Sequence, residues 1–253
     1  MEIINSNTKG IKQAVKKILD GEIIFIPTDT VYGIAASPYN NKAIKKIFSI
    51  KKRPLSNSLV LLCSSYKMAK KYAIFNKIAN NLIKNFWPGP LTLILKKTTN
   101  SKISKKWLSK NNSIGIRIPD HDVPKKIINK CKFPIFCTSA NISGKKSCRD
   151  IKDVVKNFKN EKITIIDDGK TKFRKESTII DVTGNKIKIL RKGYLNKKTN
   201  ISLWAYEKET VRQINRYKIN KSYLPGIKIP NNVNATNNLE ELKTNKFIFI
   251  CIP

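Results

Sequence analysis

The chain has 253 residues, of which 40% are hydrophobic and 27% are charged, and its formal net charge at neutral pH is +34. This length suits one large domain, or one domain with a small appendage, and the composition provides enough apolar residues for a packed core. No stretch reaches the roughly 20 apolar residues of a membrane-spanning helix. The amino-terminal segment also lacks the pattern of a secretion signal, so we expect a soluble, cytoplasmic protein.

The cysteine and histidine content argues against several kinds of site. Five cysteines occur without a CxxC spacing, and His121 is the single histidine. This pattern favours neither a disulfide framework nor a zinc knuckle, and it leaves little support for a Ser-His-Asp triad. We expect the cysteines to be small buried hydrophobic residues and predict no metal held by protein ligands alone.

The high positive charge has two interpretations. Clustered cations displace counterions from phosphates, so the charge is compatible with a nucleic-acid-binding surface. However, only seven of the 51 basic residues are arginine, and the lysines are spread along the whole chain. Because a dedicated nucleic-acid site more often uses arginine forks in a segregated patch, compositional drift towards lysine, asparagine and isoleucine is the favoured explanation. Either way, polyanions should be attracted at low salt.

Helices and strands are predicted to be intermingled along the first 193 residues. Thr8 is the predicted cap of a first helix that stops at Gly21. Apolar residues at helical spacing predict further helices around residues 43–48, 67–74, 78–86, 123–131 and 151–158. Short apolar runs predict strands at residues 23–26, 59–62, 91–95, 114–118, 135–137 and 163–166, with a hairpin of 178–182 and 187–190. This pattern indicates an α/β or mixed fold whose sheet is covered by helices.

The character of the chain changes after Gly193. A helix is predicted near residues 204–217, a loop at 224–238, a helical turn at 239–242 and an apolar strand at 247–252. One strand after a long linker does not build a domain alone. This strand must therefore dock on the main domain of residues 1–193, pair with another chain, or be a remnant.

Three polar motifs follow predicted elements and are candidates for a binding site. PTDTVYG begins at Pro27, KKRP begins at Lys51 and TSANISG begins at Thr138. Taken singly, each motif also has an ordinary structural explanation: a capped turn, a helix end with favourable dipole interactions, or a polar loop. Small residues and hydroxyls can hold phosphate or ribose oxygens, but the chain contains no P-loop sequence.

Taken together and in order, the motifs resemble those of the YrdC-like threonylcarbamoyl-AMP synthase family. PTDTVYG, KKRP, FWPGPLTLIL, IGIRIPDH, TSANISG, ESTIIDVT and ILRKG carry the resemblance, which covers roughly residues 3–193. It implies a YrdC-like twisted, open mixed α/β sheet, flanked by helices around a basic concave site. It also implies synthesis of L-threonylcarbamoyl-AMP from L-threonine, bicarbonate and ATP with release of pyrophosphate, the first step of tRNA threonylcarbamoyladenosine modification.

The resemblance also implies roles for individual residues. Lys51 and Arg53 match the phosphate-binding pair of the family, and the remaining ATP-binding positions match Ser139, Asn141, Ser147, Ser177 and Arg191. The threonine-binding positions match Thr30, Tyr32 and Arg117. No protein nucleophile is required, because the carbamate of threonine attacks the α-phosphorus directly. Mg²⁺ would accompany ATP and bridge phosphate oxygens with few protein ligands.

Some positions depart from the family pattern. Ser58 and Leu62 stand where many members have a proline and a histidine, and the histidine is tied to threonine binding. In longer members a linker and a small second domain follow, and Leu224-Pro225-Gly226 occupies the corresponding place here. We therefore interpret residues 194–253 as a degenerate linker with a truncated remnant of a second domain.

Two other functions remain open from the sequence. One is a non-catalytic module that binds double-stranded RNA or tRNA, as the net charge suggests. The other is a carbamoyl-transfer domain like that inside hydrogenase-maturation proteins, although no acylphosphatase or zinc-finger segment accompanies it. Partner proteins that transfer the threonylcarbamoyl group to tRNA are implied by the resemblance alone.

Overall fold

A computed structural model describes residues 1–55, 57–108, 111–184, 186–196 and 201–244. The chain divides into two compact units, Met1–Asn196 and Lys197–Pro253. Each unit is described by itself below. None of the described helices is long and apolar enough to cross a membrane.

The helices of the first unit follow the apolar periodicity, with two corrections. Asn7, and not Thr8, caps the first helix, because its Oδ1 accepts a hydrogen bond from the Gly10 N–H at 2.9 Å. The predicted helix at residues 67–74 is a single turn followed by a short strand. The helices are α1 (Thr8–Leu19), α2 (Asn41–Ile50), α3 (Tyr66–Ala69), α4 (Lys77–Phe86), α5 (Asp122–Cys131) and α6 (Ile151–Phe158).

The strands form one large mixed sheet, which confirms the predicted fold class. They are β1 (Glu2–Asn5), β2 (Ile24–Ile26), β3 (Gly33–Ala36), β4 (Val60–Leu62), β5 (Ala73–Ile74), β6 (Leu91–Lys97), β7 (Ser113–Arg117), β8 (Ile135–Ser139), β9 (Thr164–Asp167), β10 (Thr178–Asp181) and β11 (Lys188–Arg191). Their order across the sheet is β1-β9-β2-β3-β8-β4-β7-β6-β10-β11, and β5 pairs with β6. The predicted hairpin is formed by β10 and β11. The strands β1, β3 and β5 are additions to the predicted set.

Apolar groups cover both faces of the sheet. Strand β2 shows the alternation: Phe25 packs into the larger cluster, whereas Ile24 and Ile26 pack into the second cluster. The second cluster includes apolar residues of α1 and α5, and the larger one includes those of α2 and α6. Burial on both faces explains why the strands read as uninterrupted apolar runs.

The sheet register brings two of the sequence motifs together. Strand β2 leads into the PTDTVYG turn, and β3 returns antiparallel to β2. Strand β3 also pairs antiparallel with β8, and Gly33 lies opposite Ser139. The Ala140 N–H donates to the Tyr32 carbonyl at 2.7 Å, and the Tyr32 N–H donates to the Cys148 carbonyl at 2.9 Å. The PTDTVYG and SANISG segments, more than 100 positions apart, therefore form one surface.

The second unit contains a strand–helix–strand arrangement. Strands β12 (Ile201–Trp204) and β13 (Val233–Thr236) pair in parallel. Between them lie α7 (Lys208–Arg212) and a π-helical turn, Gln213–Tyr217. The sequence predicted the helical region but not β13, which lies inside the stretch expected to be a loop. The predicted strand at residues 247–252 lies outside the described residues.

Candidate functional site

A concave site opens on the first unit at the junction of the PTDTVYG and SANISG segments. Seven of the ten predicted site residues line it. They are Thr30, Tyr32, Arg53, Arg117, Ser139, Ser177 and Arg191. The other three, Lys51, Asn141 and Ser147, lie behind this lining, where they hydrogen-bond to residues of the SANISG segment or of the site wall.

Lys51 is buried beneath the SANISG segment. Only 1% of its surface is exposed, and its Nζ donates to the Asn141 carbonyl at 2.8 Å and to Asn141 Oδ1 at 2.9 Å. It also donates to the Ser139 carbonyl. Burial, aided by the charge of Arg53, lowers the pKa of Lys51 to about 8. Lys51 therefore holds the SANISG segment in place.

The end of α2 directs Arg53 into the site. The Lys52 N–H donates to the Ser49 carbonyl and the Arg53 N–H to the Phe48 carbonyl, both at 2.9 Å. With Lys52 in the left-handed conformation at φ 49°, this is a Schellman termination. The chain reverses there, so Arg53 lines the concave site while Lys52 is exposed. An Arg53 Nη atom donates to the Ser58 carbonyl at 3.0 Å, which fixes the guanidinium.

Asn141 and Ser139 brace one another. The Ser139 Oγ donates to Asn141 Oδ1 at 2.7 Å, and the Asn141 amide donates to the Ile142 and Lys145 carbonyls at 2.9 and 2.8 Å. Ser139 lines the site, whereas the Asn141 side chain holds the loop through its hydrogen bonds to the Ile142 and Lys145 carbonyls. The serine is thus placed to contact a ligand, and the asparagine sets the loop conformation around it.

Arg191 and Ser177 form a second wall on the β10–β11 hairpin. The Arg191 Nε donates to the Ser177 carbonyl at 3.0 Å, and its Nη2 donates to Ser177 Oγ at the same distance. The Thr92 hydroxyl also lies 2.8 Å from Ser177 Oγ. Burial lowers the pKa of Arg191 and that of Arg53, but both remain cationic at neutral pH because free guanidinium titrates so high.

Arg117, which also lines the site, forms a buried ion pair with Asp29. The Arg117 Nη2 contacts Asp29 Oδ1, its Nη1 donates to Thr30 Oγ1 at 2.8 Å, and its Nε donates to the Gly89 carbonyl at 3.0 Å. Asp29 is fully buried. Arg117 is fixed on three sides and keeps two N–H groups free of these contacts. Thr30 is held against the same guanidinium, so two of the three predicted threonine-binding residues are joined.

The Tyr32 side chain supports a neighbouring turn. Its hydroxyl donates to the Gly169 carbonyl at 3.1 Å and accepts from the Asp168 N–H at 3.3 Å. Burial raises the pKa of Tyr32 to about 12.

Leu62 and Ser58, the two departures from the family pattern, both line the site. The wall is therefore apolar where many relatives carry a histidine.

Cys137 is the thiol that lines the site among the described residues. Burial raises the pKa of this thiol to about 12, so it is neutral at physiological pH. A neutral thiol is a poor nucleophile. The four described cysteines are all free and buried, as the sequence predicted.

Several lining residues were not predicted. Thr28, Thr92 and Glu176 line the site, and Glu176 is its carboxylate-bearing residue within the described part of the chain. The sequence motifs already contained two of them, since Thr28 lies in PTDTVYG and Glu176 in ESTIIDVT. Thr92 sits on a strand without any local polar pattern. Its place in the site follows from the parallel pairing of β6 with β10, in which Thr92 lies opposite Ile179.

The fold and the site define a mixed α/β protein with arginines and hydroxyls converging on one concave surface. The Sua5, YciO and YrdC family profile, described as telomere recombination, matches residues 16–193. The chain therefore belongs to the Sua5–YciO–YrdC family. A second profile, described as the N-terminus of NAD-dependent glycerol-3-phosphate dehydrogenase, matches residues 189–253.

Similar proteins of known name support this membership. A putative threonylcarbamoyl-AMP synthase of Methanocaldococcus jannaschii is 37% identical over 195 residues, which are 77% of this chain and 91% of the relative. The threonylcarbamoyl-AMP synthase of Pyrococcus abyssi is 36% identical over 73% of this chain, but the match spans only 54% of that longer protein.

Solved structures agree with the sequence comparisons. The crystal structure of P. abyssi Sua5 complexed with L-threonine is 35% identical with a TM-score of 0.72, and the match covers 76% of this chain and 58% of that one. The structure of Escherichia coli YciO is 25% identical with a TM-score of 0.69 and is covered over 94% of its length. The predicted YrdC-like fold is thereby confirmed.

Proposed function

We propose that this chain makes L-threonylcarbamoyl-AMP from L-threonine, bicarbonate and ATP, with release of pyrophosphate. It is then a nucleotidyltransferase that carries out the first step of tRNA threonylcarbamoyladenosine modification. The observation that carries the proposal is the convergence of Arg53, Ser139, Ser177, Arg191 and Arg117 on one site in a chain of this family. The matching proteins bear the name of this synthase.

The chemistry requires positioning and charge neutralisation. The amine of threonine combines with bicarbonate to give a carbamate and water. A carbamate oxygen then attacks the α-phosphorus of ATP, the bond to the β-phosphate oxygen breaks, and pyrophosphate leaves. Such transfers are accelerated by holding the reactants together and by fixed cations near the phosphates. No covalent intermediate with the protein is needed, in keeping with the neutral Cys137 thiol.

The site residues divide between the two substrates. At the ATP end, Arg53 and Arg191 contact phosphates, and the Ser139 and Ser177 hydroxyls contact the nucleotide. At the threonine end, the free N–H groups of Arg117 bind the substrate carboxylate, and Thr30 and the Tyr32 backbone complete the wall. Lys51 and Asn141 act one layer behind, because their polar atoms are already used to hold the SANISG segment.

Mg²⁺ is the proposed metal, bound together with ATP. Bound to the phosphates, it would neutralise charge that develops on the leaving pyrophosphate. Among the described residues, no group of three His, Cys, Asp or Glu is placed to hold a metal ion. Mg²⁺ is compatible with such a site, since it is commonly held by one or two carboxylates together with substrate phosphates.

The defining experiment measures pyrophosphate release by the full chain. With ATP and bicarbonate, release should depend on threonine and should be much weaker with serine or valine. Release that is independent of threonine, or absent with all three substrates present, would contradict the proposal. Liquid chromatography with mass detection should identify the adenylate as the second product.

RNA binding is the second candidate, and the net charge of +34 favours it. We propose that any contact with tRNA is electrostatic and accessory to the synthase activity. Its affinity should then fall by about 10³-fold or more between 50 and 200 mM salt, as for proteins that contact several phosphates. Salt-resistant, sub-micromolar RNA binding without ATP binding would favour the non-catalytic module instead.

We propose that the protein acts in the cytoplasm, where ATP and tRNA are both present. Downstream proteins would then transfer the threonylcarbamoyl group to tRNA.

For the domain organisation, we propose a catalytic domain of residues 1–193 followed by a second unit in residues 194–253. The strand–helix–strand arrangement supports an α/β character for this unit. The profile match at residues 189–253 favours a relation to NAD-dependent dehydrogenase domains, and the degenerate linker inferred from the sequence stays a prediction. The ten glycines contain no GxG spacing, so the chain lacks the GxGxxG loop that binds pyrophosphate in such domains.

A further inference from the structure

Glu176 is an anion in a site that should repel anions. It lines the same surface as Arg53, Arg117 and Arg191. Burial raises the pKa of Glu176, but hydrogen bonds from Ser147 and from its own backbone N–H, together with the charges of Arg191 and Arg149, outweigh burial and lower it. Glu176 is part of the lining of the site where ATP is proposed to bind.

The contacts of Ser147 show how this carboxylate is held. The Ser147 Oγ donates to Glu176 Oε1 at 2.7 Å. A serine hydroxyl has one donor proton, so Ser147 cannot also donate to a phosphate while this bond exists. In this arrangement Ser147 orients Glu176, and its predicted contact with a phosphate stays a prediction. Among the described residues, Ser147 is the side chain that hydrogen-bonds this carboxylate, which also accepts from the Glu176 backbone N–H. A carboxylate has about four lone-pair sites, so it keeps acceptor capacity for a ligand.

The charged residues that line the site favour binding of a cation together with the triphosphate. Arg117 is already neutralised by Asp29. Arg53 and Arg191 bring positive charge to the lining and Glu176 offsets part of it, whereas a triphosphate is a polyanion. A carboxylate beside a triphosphate weakens binding by repulsion unless a cation lies between them. Carboxylate oxygen is also the protein ligand that Mg²⁺ prefers in nucleotide sites.

We propose that Glu176 is the protein ligand of the divalent cation that accompanies ATP, either directly or through a metal-bound water, and that Ser147 orients it. This inference rests on the proposed function only in taking the concave site as the nucleotide site. It assigns to the ESTIIDVT motif a metal-binding role beside the nucleotide role of Ser177.

The test is the metal dependence of nucleotide binding, measured without turnover. Binding of α,β-methylene-ATP to the full chain is titrated calorimetrically with Mg²⁺ and again with EDTA. For the wild type, Mg²⁺ should raise affinity. In Glu176→Gln, the gain from Mg²⁺ should fall on the order of 10- to 100-fold, the size typical of lost metal-site contacts. In EDTA the same variant should bind the analogue at least as tightly as the wild type, because a repulsive charge is gone.

Mn²⁺ provides a second readout. The electron paramagnetic resonance signal of free Mn²⁺ should decrease when the wild-type chain and the analogue are added, and much less so with Glu176→Gln. Ser147→Ala should give a smaller loss in the same direction, and Glu176→Asp should retain part of the metal effect. Glu161→Gln is the matched control, since Glu161 lies beyond the end of α6 and does not line the site. Thermal unfolding of each variant checks that it is folded.

The outcomes separate this inference from the proposed function. An equal effect of Mg²⁺ in the wild type and Glu176→Gln overturns the role of Glu176 but leaves the synthase intact. A variant with unchanged metal dependence and a raised KM for threonine also overturns it, and would assign Glu176 to the substrate ammonium group. Absence of analogue binding to the wild type in both conditions contradicts the nucleotide site itself, and the inference with it.

Discussion

At the residue scale, the basic KKRP segment divides into three different roles. Lys51 is buried under the SANISG loop, Lys52 is exposed at a left-handed position, and Arg53 lines the site. The division follows from the Schellman end of α2, because that turn sends consecutive side chains in different directions. Three adjacent cations of similar chemistry therefore differ in what they can contact.

This division predicts unequal effects of removing charge. Arg53→Gln should lower kcat/KM for ATP by roughly 10- to 100-fold, as expected for the loss of a charged hydrogen bond of about 1.5–3 kcal/mol. Lys52→Gln removes the same charge from the neighbouring exposed position and should change kcat/KM by less than about twofold. Steady-state kinetics of pyrophosphate release measures both. Equal losses would indicate a general electrostatic effect of the segment and contradict a specific contact by Arg53.

The buried ammonium of Lys51 predicts a pH-dependent stability. Its pKa is lowered from 10.5 to about 8, so between these values the unfolded chain binds more protons at this group than the folded chain does. The free energy of unfolding should therefore rise with pH across this window, relative to that of Lys51→Met, with a slope of at most about 1.4 kcal/mol per pH unit. Urea unfolding of both proteins at several pH values measures the difference. Parallel pH profiles would show that Lys51 titrates normally.

At the element scale, the site depends on how closely the β10–β11 hairpin and its flanking residues approach one another. Gly193 follows β11 and passes directly against the Glu176–Ser177 backbone, where the Tyr194 N–H donates to the Glu176 carbonyl at 2.8 Å. A Cβ at Gly193 would lie 2.3 Å from the Ser177 carbonyl oxygen and 2.4 Å from the Glu176 oxygen. The glycine in ILRKG is required by this contact between backbone segments.

Substitution of Gly193 should therefore disturb the wall of the site that Ser177 and Arg191 form. Gly193→Ala forces the Glu176–Ser177 backbone to move, and overpacking of this kind costs about 1–3 kcal/mol. We expect a lower melting temperature and weaker binding of α,β-methylene-ATP. Gly184→Ala is the control in the same hairpin, because a Cβ there meets nothing within 4 Å. If both variants bind the analogue like the wild type, the close approach does not control the site.

At the scale of the whole molecule, the chain combines the candidate site of the first unit with a strand–helix–strand motif in the second. The second unit has two parallel strands joined through a helix, as in dinucleotide-binding folds, but the chain has no glycine-rich phosphate loop. The phosphate loop provides the backbone contacts to pyrophosphate in those folds. Net charge attracts anions over the whole surface, so weak nucleotide binding by itself is not diagnostic.

We therefore predict that the second unit adds no dinucleotide site. The full chain should not enhance NADH fluorescence at 150 mM salt, and NADH should not protect the protein against thermal unfolding. AMP at equal concentration is the control for general anion binding. Saturable NADH binding that ATP does not displace would contradict the prediction and would place a functional site in residues 197–253.

Much of the fold was predictable because the strands and helices carry strong local patterns. The apolar runs of β4, β6 and β8 and the periodicity of α6 reflect the burial of each segment. They can be recognised without knowing which other segment covers each one. The misses have physical causes. β3 is a short run of small residues, and α3 ends after one turn because β5 pairs with β6. β13 has alternating polar residues that read as a loop until it pairs with β12.

For the site, the sequence by itself determined which motifs matter and which residue types they bring, because ordered motifs such as PTDTVYG and SANISG are specific to a family. Only the tertiary structure decided which side chains face the ligand space and which hold the wall. Lys51 is hydrogen-bonded to Asn141, 90 positions away, and Ser147 is hydrogen-bonded to Glu176, 29 positions away. The end of α2 and the sheet register together set these directions, and contacts between such distant segments cannot be read from a local sequence pattern.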